Sequence, residues 1–161
     1  MLILGDKRKK LIVELCSTNF ADFLFGKNQN YKKFIPVKYL LIGERDISKE
    51  DKLDDHTLLT NIEFLPLWWE ELSLYGYDNE KGIYCAYHLE EDSIEYFGSS
   101  EKSLILFKTF ELWDAFIYSD EELISLGVNV GVDSKKIMEI INSTKDYDKK
   151  TKAVSEYLKT M

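Results

Sequence analysis

The pattern of hydrophobic and polar residues identifies the centre of the chain as a sheet region. Residues 82–89 and 93–98 are rich in β-branched and aromatic side chains, and the acidic tripeptide 90–92 separates them. Such segments are typical of strands, and the short polar connection predicts a β-hairpin. A third short strand at 104–107 would follow a turn that contains glycine. These connections are too short for a parallel crossover, so the pattern predicts a mostly antiparallel sheet.

After Thr109 the apolar residues recur at the spacing of amphipathic helices. The first predicted helix has its apolar residues on one arc: Phe110, Leu112, Trp113, Phe116 and Ile117. A second helix begins at a capping box formed by Ser119 and Glu122 and ends at Gly127. A third is capped at 133–134, and a fourth follows it. The apolar residues of these last two helices are Ile137, Met138, Ile140, Ile141, Ala153, Val154, Tyr157 and Leu158.

The first third of the chain has shorter patterns. Residues 10–16 and 37–42 favour strands, and residues 19–26 favour a brief helix that a glycine ends. The polar stretches 27–33 and 44–57 are typical of loops.

Residues 61–75 permit two interpretations. One is a strand to Leu65 followed by a helix with Pro66 at its first position, where proline is favoured. The other is an extended conformation throughout. With either interpretation, we predict an α+β fold in which helices pack on a central, mostly antiparallel sheet and the C-terminal third is helical.

Length and composition indicate one folded domain. The chain has 161 residues, of which 45% are hydrophobic and 31% charged, and this excludes disordered and disulfide-stapled classes. No apolar run approaches the ~20 residues of a membrane span, and the opening residues lack the apolar region of a signal peptide. Cys16 and Cys85 are too few for a disulfide framework and have apolar neighbours, as buried thiols do. We therefore expect a single-domain cytoplasmic protein.

The net charge of −8 is unevenly distributed along the chain. Residues 51–131 contain four Lys/Arg against eighteen Asp/Glu, whereas residues 1–50 and 132–161 are both net positive. An acidic stretch repels a phosphate backbone, which disfavours direct binding of nucleic acid. The same field attracts a basic protein surface and speeds association with it. An acidic surface that serves solubility alone is the other interpretation.

No sequence pattern identifies a catalytic centre. The chain lacks a phosphate-binding Gly-rich loop, a Gly-x-Ser-x-Gly elbow and a His-Glu-x-x-His motif, and the glycines of 127–131 indicate a turn. His56 and His88 are the only histidines. Cys85 and His88 would point to opposite faces of a strand, so they would not act together. We expect no cofactor and no bound metal.

The candidate partner-binding residues are therefore acidic residues of the central stretch and one tryptophan. Successive residues of a strand point to opposite faces, so one of Trp68 and Trp69 is expected in the core and the other is available for recognition. The predicted partner-binding set is Trp69, Glu70, Glu71, Asp78, Glu80, Glu90, Glu91, Asp92, Glu95 and Glu101.

Four central segments resemble the SUKH superfamily of bacterial immunity proteins. Residues 64–66 look like that family's strand ending at a proline, residues 82–89 and 94–98 like its consecutive strands, and residues 106–117 like its closing strand and Phe-rich helix. The resemblance covers about a third of the chain. It implies an immunity protein that neutralises a cognate toxin, often a nuclease with a basic cleft, without catalysis.

Two alternatives stay open. A nucleic-acid mimic encoded by a phage or its host would block a nuclease or a defence complex through the same carboxylates. A metal-dependent hydrolase would hold its ion near His56 or His88.

Overall fold

The computed structural model describes residues 1–41 and 56–161. The first helices are α1 (Gly5–Leu15), α2 (Thr18–Leu24) and the single turn α3 (Thr57–Thr60), with a 3₁₀ turn at Val37–Tyr39. The strands are β1 (Phe64–Glu70), β2 (Ser73–Asp78), β3 (Ile83–His88) and β4 (Ser93–Tyr96). The last helices are α4 (Glu101–Asp114), α5 (Asp120–Asn129), α6 (Lys135–Asn142) and α7 (Tyr147–Leu158).

The four strands form one antiparallel meander in the order β1-β2-β3-β4. Successive turns of a meander lie at opposite ends of the sheet, so the β1–β2 and β3–β4 turns share one end and the β2–β3 turn lies at the other. A hydrogen bond of 2.9 Å from the Leu89 amide to the Leu72 carbonyl joins the two turns that share an end. The α+β architecture with an antiparallel sheet and a helical C-terminal third is therefore confirmed.

Both faces of the sheet are covered by apolar side chains. Trp68, Tyr75 and Ala86 belong to the larger core, which contains residues from both ends of the chain, from Ile3 to Leu158. The opposite face carries the smaller cluster of Leu59, Phe64, Leu74, Cys85 and Tyr87. This division follows from the alternation of side chains along each strand. Among the described residues, no helix is both long and apolar enough to cross a membrane.

Two predicted strands are helical. Residues 10–15 fall in α1, with Cys16 as its C-cap, and Arg8 and Ile12 are buried one turn apart, as an amphipathic helix requires. Residues 104–107 lie inside α4, which begins after the N-cap Ser100. A short apolar run fits a buried helix and a buried strand equally well, and this caused the wrong assignment. The predicted strand at 37–42 begins instead with a 3₁₀ turn over Val37–Tyr39, and residue 42 lies outside the described residues.

The extended interpretation of residues 61–75 is confirmed, and the helix starting at Pro66 is wrong. Pro66 lies in β1, an edge strand, at a point where the register with β2 shifts. Edge strands and bulges are the places in a sheet that accept proline. The carbonyl of Pro66 accepts a hydrogen bond of 2.7 Å from Arg8 Nε, which attaches α1 to this strand.

The hairpin of β3 and β4 and the four C-terminal elements largely match prediction. Ser119 and Glu122 form the expected capping box, and Asp133 accepts the amide of Lys135 at 3.0 Å before α6. Two boundaries are wrong. Helix α5 continues through Gly127 to Asn129, and α4 ends at Asp114, before Phe116 and Ile117.

Residues 27–33 form a loop with turns, as expected. The predicted loop at 44–57 falls mostly outside the described residues.

Candidate functional site

The two turns that share one end of the sheet form a surface that we name the sheet tip, residues 69–73 and 88–93. Glu71, Glu90 and Glu91 are exposed there, and Leu72 between them is 53% exposed. Glu71 has a φ of 52° in the two-residue β1–β2 turn, a conformation that directs the chain sharply back. Within the part of the chain that the structure describes, no lysine or arginine forms an ion pair with these three glutamates. The tip is therefore an acidic surface with an apolar residue at its centre.

Trp69 contributes a half-buried indole to the same end. It packs against the smaller apolar cluster, and its Nε1 donates to the Glu71 carbonyl at 2.8 Å. Trp68, the neighbouring residue, is fully buried. The prediction that one of the two tryptophans lies in the core and the other near the surface is therefore confirmed.

A buried lysine lies directly behind the tip. Lys108 is only 4% exposed, and its Nζ is 2.7 Å from Glu70 Oε2 and 2.6 Å from Glu111 Oε2. The Tyr75 hydroxyl donates to Glu111 Oε1 at 3.0 Å, and Trp68 Nε1 donates to Glu70 at 3.3 Å. Glu70 therefore forms an ion pair with Lys108 on the core side and is not an unpaired surface carboxylate.

Burial sets the protonation of this cluster. It raises the pKa of Glu111 above its ordinary value, although the adjacent Lys108 ammonium acts in the opposite direction. Burial also raises the pKa of Tyr75, and the neighbouring Glu111 adds to that effect. Tyr75 thus stays a neutral hydrogen-bond donor to Glu111, and Lys108 lies between the two carboxylates.

His88 links β2, β3 and β4 at the tip. Its Nδ1 is 2.9 Å from Ser73 Oγ, and its Nε2 is 3.5 Å from Glu95 Oε2. The hydrogen bond to Glu95 raises the pKa of His88, and burial opposes this shift. Glu95 is consequently paired across the sheet with a histidine that can become charged near neutral pH.

Replacing Glu95 by glutamine is expected to lower the pKa of His88, because its main hydrogen-bond and charge partner is lost. Because the pKa of His88 is higher in the folded protein than in the unfolded chain, protonation of His88 stabilises the fold. This stabilisation is fully present below the unfolded pKa of about 6.5 and is lost as the pH rises through the folded pKa. Proton NMR titration of the two histidines measures the shift, with His56 as the internal control. An unchanged His88 titration in Glu95→Gln would contradict the pairing.

Asp92 stabilises the β3–β4 turn. It accepts a short hydrogen bond from the Tyr87 hydroxyl, and His56 Nδ1 lies 4.0 Å away. Its φ of 44° is left-handed, which aspartate tolerates better than most residues do. Asp92 therefore fixes the turn that presents Glu90 and Glu91.

Three of the predicted partner-binding residues lie at the other end of the sheet. Asp78 is fully buried, which corrects its expected place on the surface. Its Oδ1 accepts the amides of Glu80 and Lys81, so it closes the β2–β3 turn. Glu80 is exposed at that turn, and Glu101 accepts the Ser17 amide at 2.7 Å, which joins α4 to α2.

The predicted acidic set thus divides into two groups with opposite positions. The group at the sheet tip consists of Trp69, Glu70, Glu71, Glu90, Glu91 and Asp92, and Glu95 lies beside it on β4. The group at the other end consists of Asp78, Glu80 and Glu101. Sequence reasoning missed Leu72, Lys108 and Glu111. The one available signal was a lysine within the apolar segment 104–110, where a charge needs a buried partner.

Comparison with known proteins gives no relative on which to base a function. Among residues 1–41 and 56–161, no group of three or more His, Cys, Asp or Glu side chains is arranged to hold a metal ion. No family model, curated protein or solved structure matches the chain. The resemblance to the SUKH superfamily therefore stays a prediction.

Proposed function

We propose that this chain is a non-enzymatic binding protein that neutralises a basic partner protein, in the manner of an immunity protein against a nuclease-type toxin. One observation carries the proposal. At the sheet tip, Glu71, Glu90 and Glu91 are exposed without a paired cation in the described chain, whereas Glu70 and Glu95 behind them are paired with Lys108 and His88. Three carboxylates without a paired cation thus lie together on the two neighbouring turns of the sheet tip.

Such a surface suits a basic cleft. Exposed carboxylates on a rigid hairpin end steer a positively charged protein into contact and fix its orientation. Leu72 and the half-buried Trp69 give the surface an apolar centre surrounded by charge, which is how strong protein interfaces are arranged. Inhibition would follow from occlusion, because a nuclease whose cationic cleft is filled by glutamates has no access to phosphate. We further propose that this takes place in the cytoplasm.

Reversing the charge of the tip is expected to abolish tight binding. In the triple variant Glu71→Lys, Glu90→Lys and Glu91→Lys, like charges face each other across the interface, at a cost of several kcal/mol. Affinity for the partner should fall on the order of 100-fold. The partner is the purified product of the gene adjacent to that of this chain, and calorimetry at constant ionic strength measures the affinity.

The matched control reverses three exposed glutamates on helices away from the tip: Glu14, Glu139 and Glu156. It changes the net charge equally, so affinity should fall only slightly. Equal losses in both variants would show that total charge matters and the tip does not. If the adjacent genes belong to a phage cluster and a nuclease or defence complex is the protein bound, the nucleic-acid mimic replaces the immunity protein as the proposed function.

A further inference from the structure

The connection between α4 and α5 exposes two large apolar side chains. Phe116 is 88% exposed and Ile117 is 58% exposed. We name these two residues the apolar knob. The Phe116 ring contacts that of Trp113 in a tilted arrangement, with the two centroids 6.4 Å apart. The knob therefore contributes little to the core, although its sequence pattern is that of a buried helix face.

The backbone at the knob makes phenylalanine a costly choice. The Phe116 amide donates to the Trp113 carbonyl at 3.0 Å, and the Ile117 amide donates to the Leu112 carbonyl at 3.4 Å. These two bonds are the Schellman ending of a helix, in which glycine usually occupies the left-handed position. Phe116 adopts a φ of 55° there. Phe116 therefore combines an unfavourable backbone conformation with a largely exposed side chain, and this favours a role in contact with another molecule.

The surroundings of the knob indicate what would cover it. Asp114 precedes it and is exposed, and α5 begins a few residues later with the acidic turn 120–122. Lys150 is held over the Trp113 ring at 4.6 Å. The rim is thus mainly anionic, which favours a cationic surface around the pocket that receives the knob.

The knob follows the helix that carries residues packed behind the sheet tip. Glu111, which contacts Lys108 and Tyr75, lies in the last turn of α4, and α4 ends at Asp114, two residues before Phe116. At a helical rise of 1.5 Å per residue, the step from Glu111 to Asp114 spans about 5 Å along the helix. A specific interface extends over about 800 Å² on each side, so one partner that covers the sheet tip can extend to the knob.

We propose that Phe116 and Ile117 are the apolar anchor of the partner interface and insert into an apolar pocket beside the basic surface of the bound protein. This inference rests on the proposed function, because the same partner contacts the sheet tip. A second copy of this chain is a poorer occupant, since each copy has a net charge of −8 and presents an acidic rim. Anchors of this kind, an aromatic residue within a ring of polar contacts, supply most of the energy of an interface.

Photo-crosslinking followed by affinity measurement tests the anchor. The full chain is expressed in its own host with p-benzoylphenylalanine in place of Leu72 or in place of Phe116, and the adducts are identified by mass spectrometry. Both positions are expected to capture the same basic protein. With that protein purified, Phe116→Ala should weaken binding at least about tenfold, as truncation of a central aromatic anchor does. Val13→Ala, which shortens an exposed valine on α1, should leave the affinity unchanged.

Phe116→Gly distinguishes lost binding from lost folding. Glycine suits the left-handed position, so this variant should be at least as stable as the natural chain and still bind at least about tenfold more weakly. Binding that is unchanged in both Phe116 variants but lost on charge reversal of the tip would overturn the anchor and leave the proposed function intact. Adducts between two copies at position 116 would also overturn it. Absence of a basic adduct at both positions would overturn the proposed function together with the anchor.

Discussion

Lys108→Met is expected to lower the free energy of unfolding by about 3 kcal/mol at neutral pH, since removing one member of a buried ion pair leaves uncompensated charge. The ammonium contacts both Glu70 and Glu111, so its loss leaves two carboxylates facing each other. The value lies at the lower end of the usual range because the Glu111 side chain keeps 36% exposure. Chemical denaturation followed by tryptophan fluorescence measures it.

Two further variants separate this charge effect from lost packing. Glu111→Gln added to Lys108→Met should recover part of the stability, because one of the opposed charges is then absent. Because the pKa of Glu111 is raised, its protonation removes one of the two opposed charges. The loss of unfolding free energy in Lys108→Met should therefore become smaller as the pH falls into the acid range. Lys102→Met, an exposed position on the same helix, should change stability by less than about 0.5 kcal/mol. Equal stability of both lysine variants would show that Lys108 is not buried between the glutamates.

Trp68→Ala is expected to lower the free energy of unfolding by about 4 kcal/mol, the usual cost of deleting a large buried aromatic side chain. The indole is fully buried and stacks on the Tyr75 ring with centroids 4.6 Å apart and an interplanar angle of 7°. It also contacts Phe20 of α2 edge-on at 6.4 Å, so it joins the N-terminal helices to the sheet. Its removal leaves a cavity between two parts of the core and frees Glu70 from one donor.

Trp69→Ala is the matched comparison, since the two residues are adjacent and identical in type. Trp69 packs only at the margin of the smaller apolar cluster, so its truncation should lower the free energy of unfolding by less than half as much. Urea denaturation of both variants gives the comparison. A larger loss for Trp69→Ala than for Trp68→Ala would mean that β1 presents the opposite face to the core.

The parts of the fold that the sequence predicts are those with a distinct local signal. The hairpin at residues 82–98 has two segments rich in β-branched and aromatic residues on either side of a polar turn. The start of α5 has a capping box in which a side chain and the backbone satisfy each other. The prediction of a strand at residues 104–107 failed because a continuous apolar run lacks periodicity. Its helical state depends on the helices and sheet that surround it. The prediction that the helix includes Phe116 and Ile117 failed because helical spacing does not indicate where a helix ends when no glycine or proline marks the end.

Of the candidate site, the sequence predicts only the residues that lie in a recognisable turn. Glu90 and Glu91 lie where a polar hairpin turn is expected to be exposed, and the structure places them there. Asp78 also adjoins a polar turn, and its bonds to the amides of Glu80 and Lys81 are typical of an aspartate there. It is nevertheless buried, and it accepts the Tyr96 hydroxyl at 3.0 Å, a contact between distant residues that the sequence does not predict. The pairing of Lys108 with Glu70 joins residues 38 positions apart, and such a contact follows from tertiary packing alone.

The salt dependence of partner binding tests the acidic tip most directly. Calorimetry of the natural chain with the purified partner, from about 50 to about 500 mM sodium chloride, covers the range in which exposed charges become screened. Affinity is predicted to fall progressively by at least about tenfold, and the fall should be much smaller when Glu71, Glu90 and Glu91 are replaced by glutamine. An affinity that stays constant across the salt series, or that falls equally in the glutamine variant, would contradict a partner held by these three carboxylates.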